Sequence, residues 1–145
     1  MASAWYNRGK AQVMDGSIDL DGDTIKMMLV DTNYAFNADH STVDEVSGDE
    51  VSGTGYTGGF GGAGRKTLAN TAVAQDDAND RAEFTADPVT WTGLDVGDVR
   101  AAVLIKEITN DAGSQLIAFL DLSDASSNGG DFTVTANAEG FLQIG

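Results

Sequence analysis

The sequence of 145 residues contains no cysteine, a single histidine, a single proline and only eight lysine or arginine residues. The absence of cysteine excludes disulfides, thiolate zinc sites and cysteine nucleophiles, and one histidine cannot build a histidine-rich metal site. Eight cations are too few for the basic patch that a nucleic-acid-binding protein needs. The chain also lacks an apolar run of about 18 residues and a basic, apolar leader, so we expect neither a membrane span nor a signal peptide.

Acidic residues, in contrast, are abundant. The chain has 23 Asp and Glu residues, 18 of them Asp, and a formal net charge of −15. At a salt concentration of about 1 M the screening length falls to about 3 Å, so the mutual repulsion of these charges is largely removed. The composition is therefore typical of a halophilic protein, and it also fits an ordinary acidic surface that keeps a protein soluble.

Short apolar runs separated by turn residues dominate the chain. Thr24–Asp31 and Val99–Thr109 are apolar on both faces, as in buried central strands, whereas Arg81–Ala86 alternates like a half-buried strand. Turn signals follow at Asn110–Gly113 and Asn128–Gly129. The sequence predicts one mainly-β domain over residues 1–145, an antiparallel β-sandwich or jelly-roll-like fold. We expect a short helix within residues 1–14 and a glycine-rich surface loop at about 53–64.

Two phosphate-binding patterns overlap in the glycine-rich segment. Gly59–Gly64 matches G-x-G-x-x-G, but neither a strand before it nor a helix after it is indicated. Gly64 and Lys66 nearly complete a phosphate-binding loop, but Arg65 separates them and breaks the required Gly-Lys adjacency. We therefore interpret the segment as a loop and expect no nucleotide or other cofactor.

Other candidates for chemistry are weak. Asp19, Asp21 and Asp23 resemble the start of a calcium loop, but Thr24 and Val30 stand where such a loop needs glycine and glutamate. These three aspartates remain weak metal candidates, with a solvated turn as the alternative. His40 lacks the surroundings of a Ser-His-Asp triad, and no nucleophile elbow is present. We therefore expect no enzymatic activity and no catalytic residues.

The N-terminus combines aromatic and cationic side chains. Trp5 and Tyr6 stand where a chain would otherwise fray, and Arg8 and Lys10 follow closely. Aromatic anchors with complementary charge favour specific interfaces, so these four residues are interface candidates for an acidic neighbour. The alternative is that Trp5 fills the core of its own chain.

Six stretches of the sequence resemble a family of small structural virion proteins of tailed viruses of bacteria and archaea. They are WYNRGK (Trp5–Lys10), DTIKMMLV (Asp23–Val30), VSGTGY (Val51–Tyr56), DPVTW (Asp87–Trp91), LIAFLD (Leu116–Asp121) and NGGDFTV (Asn128–Val134). Together they span nearly the whole chain, and none is catalytic. The glycine tract from Gly58 to Gly64 departs from the family pattern.

The resemblance implies a structural component of the particle, made in the host cytoplasm and placed on the outer surface of the virion. The expected function is that of a capsid decoration protein, a head accessory protein that binds the major capsid protein and stabilises its lattice. We expect it to form a homo-oligomer, such as a trimer, and to bind neither nucleic acid nor membrane. A tail or baseplate component is the alternative within this class. A carbohydrate-binding module for host attachment, also a β-sandwich with aromatic and acidic side chains, is the alternative from another class.

Overall fold

A long antiparallel hairpin forms the centre of the computed structural model, which describes residues 1–145. Its strands, β7 (Gly97–Ile108) and β8 (Asn110–Ser127), lie in a five-stranded sheet in the order β1-β8-β7-β2-β3. The other members are β1 (Ala2–Trp5), β2 (Lys26–Asp31) and β3 (Lys66–Thr67). All pairings in this sheet are antiparallel.

The central sheet separates two hydrophobic cores, because successive side chains of a strand point to opposite faces. On β7, Ala102 and Leu104 belong to the larger core, whereas Ala101, Val103 and Ile105 belong to the smaller one. The strand β2 divides in the same way and is buried on both faces, as its doubly apolar sequence predicts.

Two smaller sheets cover the larger core. One has the order β10-β5-β4, from β10 (Leu142–Ile144), β5 (Arg81–Thr85) and β4 (Ala72–Asp76). The other pairs β6 (Val89–Trp91) with β9 (Phe132–Val134). The smaller core is covered by irregular chain with two 3₁₀ turns, Val43–Glu45 and Ser47–Asp49. The predicted class, a mainly-β, antiparallel, sandwich-like domain, is confirmed.

The predicted N-terminal helix is present as α1 (Asn7–Asp15), which ends where Gly16 takes a left-handed φ of 82°. The residues before it form strand β1, which pairs with β8.

One predicted turn differs from the structure. The β7–β8 turn lies at Thr109, with φ 61°, and Asn110–Gly113 already belongs to β8. Asn128–Gly129 lies in the bend between β8 and β9, which belong to different sheets. At Asn110–Gly113 long-range pairing, which the local residues do not encode, decides where the chain turns.

Candidate interaction surface

The junction between β1 and α1 sends its two aromatic side chains to opposite sides of the central sheet. Trp5 is half-buried against the larger core, and its indole Nε1 donates a hydrogen bond to the Gln143 carbonyl oxygen at 3.0 Å. Tyr6 belongs to the smaller core and is fully buried. The Tyr6 ring is therefore not accessible to another protein, and we remove it from the interface candidates.

The Tyr6 hydroxyl lies in a short hydrogen-bond chain. It is 2.8 Å from the Tyr34 hydroxyl, which is 3.0 Å from Nδ1 of His40. Burial raises the pKa of both tyrosines above the ordinary value. The two phenol groups therefore stay neutral, and their hydrogen bonds hold the Tyr6 and Tyr34 side chains in place in the smaller core.

Close packing of α1 on β8 determines which side of the helix faces solvent. Gly9 is buried, and a Cβ added there would lie 2.3 Å from the Ile117 carbonyl oxygen. A side chain has no room at this position, so only glycine lets the helix approach the strand this closely. Arg8, Lys10 and Met14 are exposed on the remaining helix surface.

An apolar cleft lies beside this exposed surface of α1. It has a volume of about 300 Å³, and we call it the α1–β10 cleft. It is lined by Trp5, Lys10, Met14, Gln143, Ile144 and Gly145. Met14 is 87% exposed and Ile144 is 51% exposed. A narrower pocket continues from Trp5 and Ile144 to Val73, which is 47% exposed. Contiguous exposed apolar side chains are a common feature of interaction sites.

The positive charge beside the cleft is not neutralised within the chain. Five of the eight cations form salt bridges, namely Lys26, Arg65, Arg81, Arg100 and Lys106. The other three are Arg8, Lys10 and Lys66, so α1 carries two of the three cations without a salt bridge. The cleft therefore offers apolar contact and free positive charge on a chain of net charge −15.

A second polar cluster, centred on Arg65, is buried. The Arg65 side chain has 0% exposure, and its guanidinium forms a two-point contact with Glu50 at 2.9 Å for each hydrogen bond. It also contacts Asp111 at 2.6 Å and Glu107 at 3.3 Å. Burial opposes the charge, but the hydrogen bonds to Glu50 and Asp111 outweigh it, so the pKa of Arg65 is raised.

The Arg65 cluster also explains why the glycine-rich segment does not form a phosphate site. The Gly59 amide donates to Glu50 at 3.0 Å, and the charge of Arg65 is compensated by carboxylates. The Gly59 amide and the Arg65 guanidinium already donate hydrogen bonds to carboxylates. These negative charges would repel a phosphate group at this position. Residues 53–64 are mostly exposed, as predicted, but Tyr56 and Gly64 are buried.

The weak metal candidates do not converge. The Asp23 carboxylate is 2.7 Å from Lys106 Nζ, and this hydrogen bond lowers the pKa of Asp23. The Asp19 carboxylate accepts from the Gly22 amide. No group of three or more His, Cys, Asp or Glu side chains is arranged to hold a metal ion. Asp19, Asp21 and Asp23 are therefore better described as a turn tied to β7 through Lys106.

Of the predicted interface residues, Trp5 and Lys10 line the cleft, whereas Arg8 is exposed on α1 outside its lining. The sequence reasoning missed Ile144 and the central position of Arg65 in the ion cluster. Met14 was included only as part of the predicted N-terminal helix.

Comparisons with protein-family models, curated proteins and solved structures found no match to this chain. No helix in the structure is both long and apolar enough to cross a membrane.

Proposed function

We propose that this chain is a non-enzymatic structural protein of a virion, a capsid decoration protein that attaches to the major capsid protein through the α1–β10 cleft. The class of function comes from the resemblance of the six sequence stretches. The observation that carries the attachment is the exposed apolar cleft, whose lining includes the free charge of Lys10.

The charge distribution supports attachment in one orientation. Lys10, in the lining of the cleft, attracts an acidic surface, whereas the rest of a chain of net charge −15 repels it. The cleft then faces the particle and the acidic surface faces outward. Apolar contact at Met14 and Ile144 removes exposed apolar area from water, which favours binding.

Decoration would stabilise the particle by mass action. A protein that binds only the assembled lattice shifts the equilibrium toward the assembled state, by an amount that grows with its concentration relative to its dissociation constant. No chemical step is required for this function. Self-association would add avidity, because several clefts would then engage the lattice together.

The burial of aromatic side chains favours this proposal over a carbohydrate-binding module. Tyr6, Tyr34, Tyr56 and Trp91 are buried, and Trp5 is half-buried with its indole nitrogen already hydrogen-bonded. Phe60 is the one aromatic residue among the exposed large apolar side chains. A flat aromatic platform for a sugar ring is therefore not formed by these residues.

A binding experiment with purified virus particles tests the proposal. Capsids lacking the protein and isolated tails are each mixed with the wild-type chain, and bound protein is measured after sedimentation. We expect binding to capsids and at least a tenfold loss of affinity in Ile144→Glu and in Lys10→Glu. The control Phe60→Glu changes an apolar residue of similar exposure outside the cleft and is expected to bind like the wild type.

Three outcomes would contradict this assignment. Binding to tails alone would move the protein to the tail or baseplate. Binding that soluble sugars abolish would favour the carbohydrate-binding module. Binding that the two cleft variants leave unchanged would show that the α1–β10 cleft is not the attachment surface.

A further inference from the structure

The strand β4 presents an open edge. It pairs with β5 on one side, from Ala72↔Thr85 to Asp76↔Arg81, with no irregularity in the register. Ala72, Val73, Ala74 and Gln75 are all exposed. No backbone hydrogen bond outside the β4–β5 ladder involves these four residues. Their outward N–H and C=O groups are therefore free to pair with another strand.

The remaining sheet edges are shorter or partly occupied. Strand β3 has two residues, and β6, β9 and β10 have three each. The carbonyl oxygen of Gln143 in β10 already accepts from Trp5, and that of Met1, next to β1, accepts from Asn137. With five residues, β4 is thus the longest edge strand. It also lacks lysine, proline and a bulge, the features with which proteins usually block edge pairing.

We propose that β4 pairs with β4 of a second copy of this chain, antiparallel and two-fold symmetric about Ala74. The two three-stranded sheets then join into one sheet of six strands. In this register Ala74 lies opposite Ala74 of the second copy, Val73 opposite Gln75, and Ala72 opposite Asp76. We choose a second copy as the partner because, in the symmetric register, the same residues of β4 pair in both copies and the free backbone groups of both edges find hydrogen-bond partners.

The charges of β4 are compatible with this register. Asp76 is neutralised within its own chain, since its carboxylate is 3.2 Å from Arg81 Nε, and it faces an alanine across the contact. Asp77 lies opposite Thr71 of the second copy, whose hydroxyl hydrogen-bonds the Asp21 backbone. Asp77 of one copy therefore approaches the segment around Asp21 of the other copy. This approach, together with the net charge of −15 on each copy, opposes pairing at low salt. Association should therefore strengthen as salt rises.

The absence of cysteine makes a clean cross-linking test available. Residues directly opposite across two antiparallel strands have Cβ atoms about 5 Å apart, near the range that a disulfide spans. In Ala74→Cys the two new thiols face each other in the dimer. The matched control is Thr85→Cys, an exposed residue on the same face of the same sheet. Its thiol lies about 20 Å from its counterpart, because three strand spacings and an offset of four residues along the strand separate the two.

We expect the wild type to sediment as a dimer in about 2 M NaCl and to dissociate toward monomer in about 0.1 M NaCl. Ala74→Cys should form disulfide-linked dimers at least tenfold faster than Thr85→Cys in high salt. The proposal is overturned by a monomer at every salt concentration, by a trimer, or by equal cross-linking rates of the two variants. Sedimentation and cross-linking are both measured without capsids, so none of these results bears on attachment through the α1–β10 cleft.

Discussion

Replacing Arg65 by methionine removes the positive centre of a buried ion cluster while keeping an unbranched, flexible side chain. The Arg65 side chain has 0% exposure, and the side chains of Glu50 and Glu107 are 6% and 9% exposed. The guanidinium donates to Glu50, Glu107 and Asp111 through all three of its nitrogens. Arg65→Met therefore leaves Glu50 without its only salt-bridge partner and Glu107 without one of its two.

The structure indicates a loss near the lower end of the range for such a change. Removing one partner of a buried ion pair costs about 3–5 kcal/mol. Glu50 keeps hydrogen bonds from the Tyr56 hydroxyl at 2.8 Å and the Gly59 amide at 3.0 Å, and Glu107 keeps Lys26 at 3.0 Å. Asp111, 23% exposed, is able to turn toward water. We therefore expect a loss of about 3 kcal/mol, which lowers the melting temperature by roughly 6–12 °C in a domain of this size.

Urea denaturation at one fixed, molar salt concentration measures this loss, because salt then holds the surface repulsion constant. The matched control is Arg81→Met. Arg81 also contacts two carboxylates, those of Asp76 and Glu83, but its side chain is 28% exposed, so a loss of about 0–1 kcal/mol is expected. Adding Glu50→Gln to Arg65→Met should recover part of the stability, since it removes a buried charge. Equal losses in the two arginine variants would refute the argument from burial.

Three further predictions concern the salt dependence of stability, the packing of α1 on β8 and the hydrogen bonds of the smaller core. The melting temperature should rise strongly from low to molar NaCl, because the charge of −15 becomes screened; a flat curve would contradict the halophilic interpretation. Gly9→Ala should destabilise the fold by about 1–3 kcal/mol, since its Cβ meets the Ile117 carbonyl oxygen. The control Gly48→Ala, in open space, should stay within about 0.5 kcal/mol of the wild type in the same urea titration. Tyr34→Phe should cost about 1–3 kcal/mol and more than Tyr6→Phe, because it alone leaves a buried hydroxyl without a partner; the reverse order would contradict this hydrogen-bond chain.

Strands β2, β5 and β7 were predictable because their signals are local. The doubly apolar runs in β2 and β7 and the alternation in β5 follow directly from burial on two faces or on one. The pairing of those strands was less accessible. The residues of β8 around Asn110–Gly113 read as a turn, yet pairing with β7 holds Asn110 in the strand. Turn residues set a local preference, and tertiary pairing overrides it.

Arg65 shows how a local reading fails for a buried polar residue. Next to a dense glycine tract, a cation is typical of an exposed loop end. Its partners Glu50, Glu107 and Asp111 lie 15, 42 and 46 residues away in the chain. No spacing rule connects positions at such distances, so the ion cluster is a product of the assembled fold.

The α1–β10 cleft is also a product of the assembled fold. Only those of its residues that lie close together in the sequence could be predicted as a group. Trp5 and Lys10 are close in sequence, so their aromatic and cationic character was visible at once. Ile144 reaches them only because β10 pairs with β5, and because Trp5 holds the Gln143 carbonyl, 138 residues away, at 3.0 Å. The cleft therefore joins the two ends of the chain. A variant that loosens either end, such as Trp5→Phe with its lost indole hydrogen bond, should open the cleft before it unfolds the two cores.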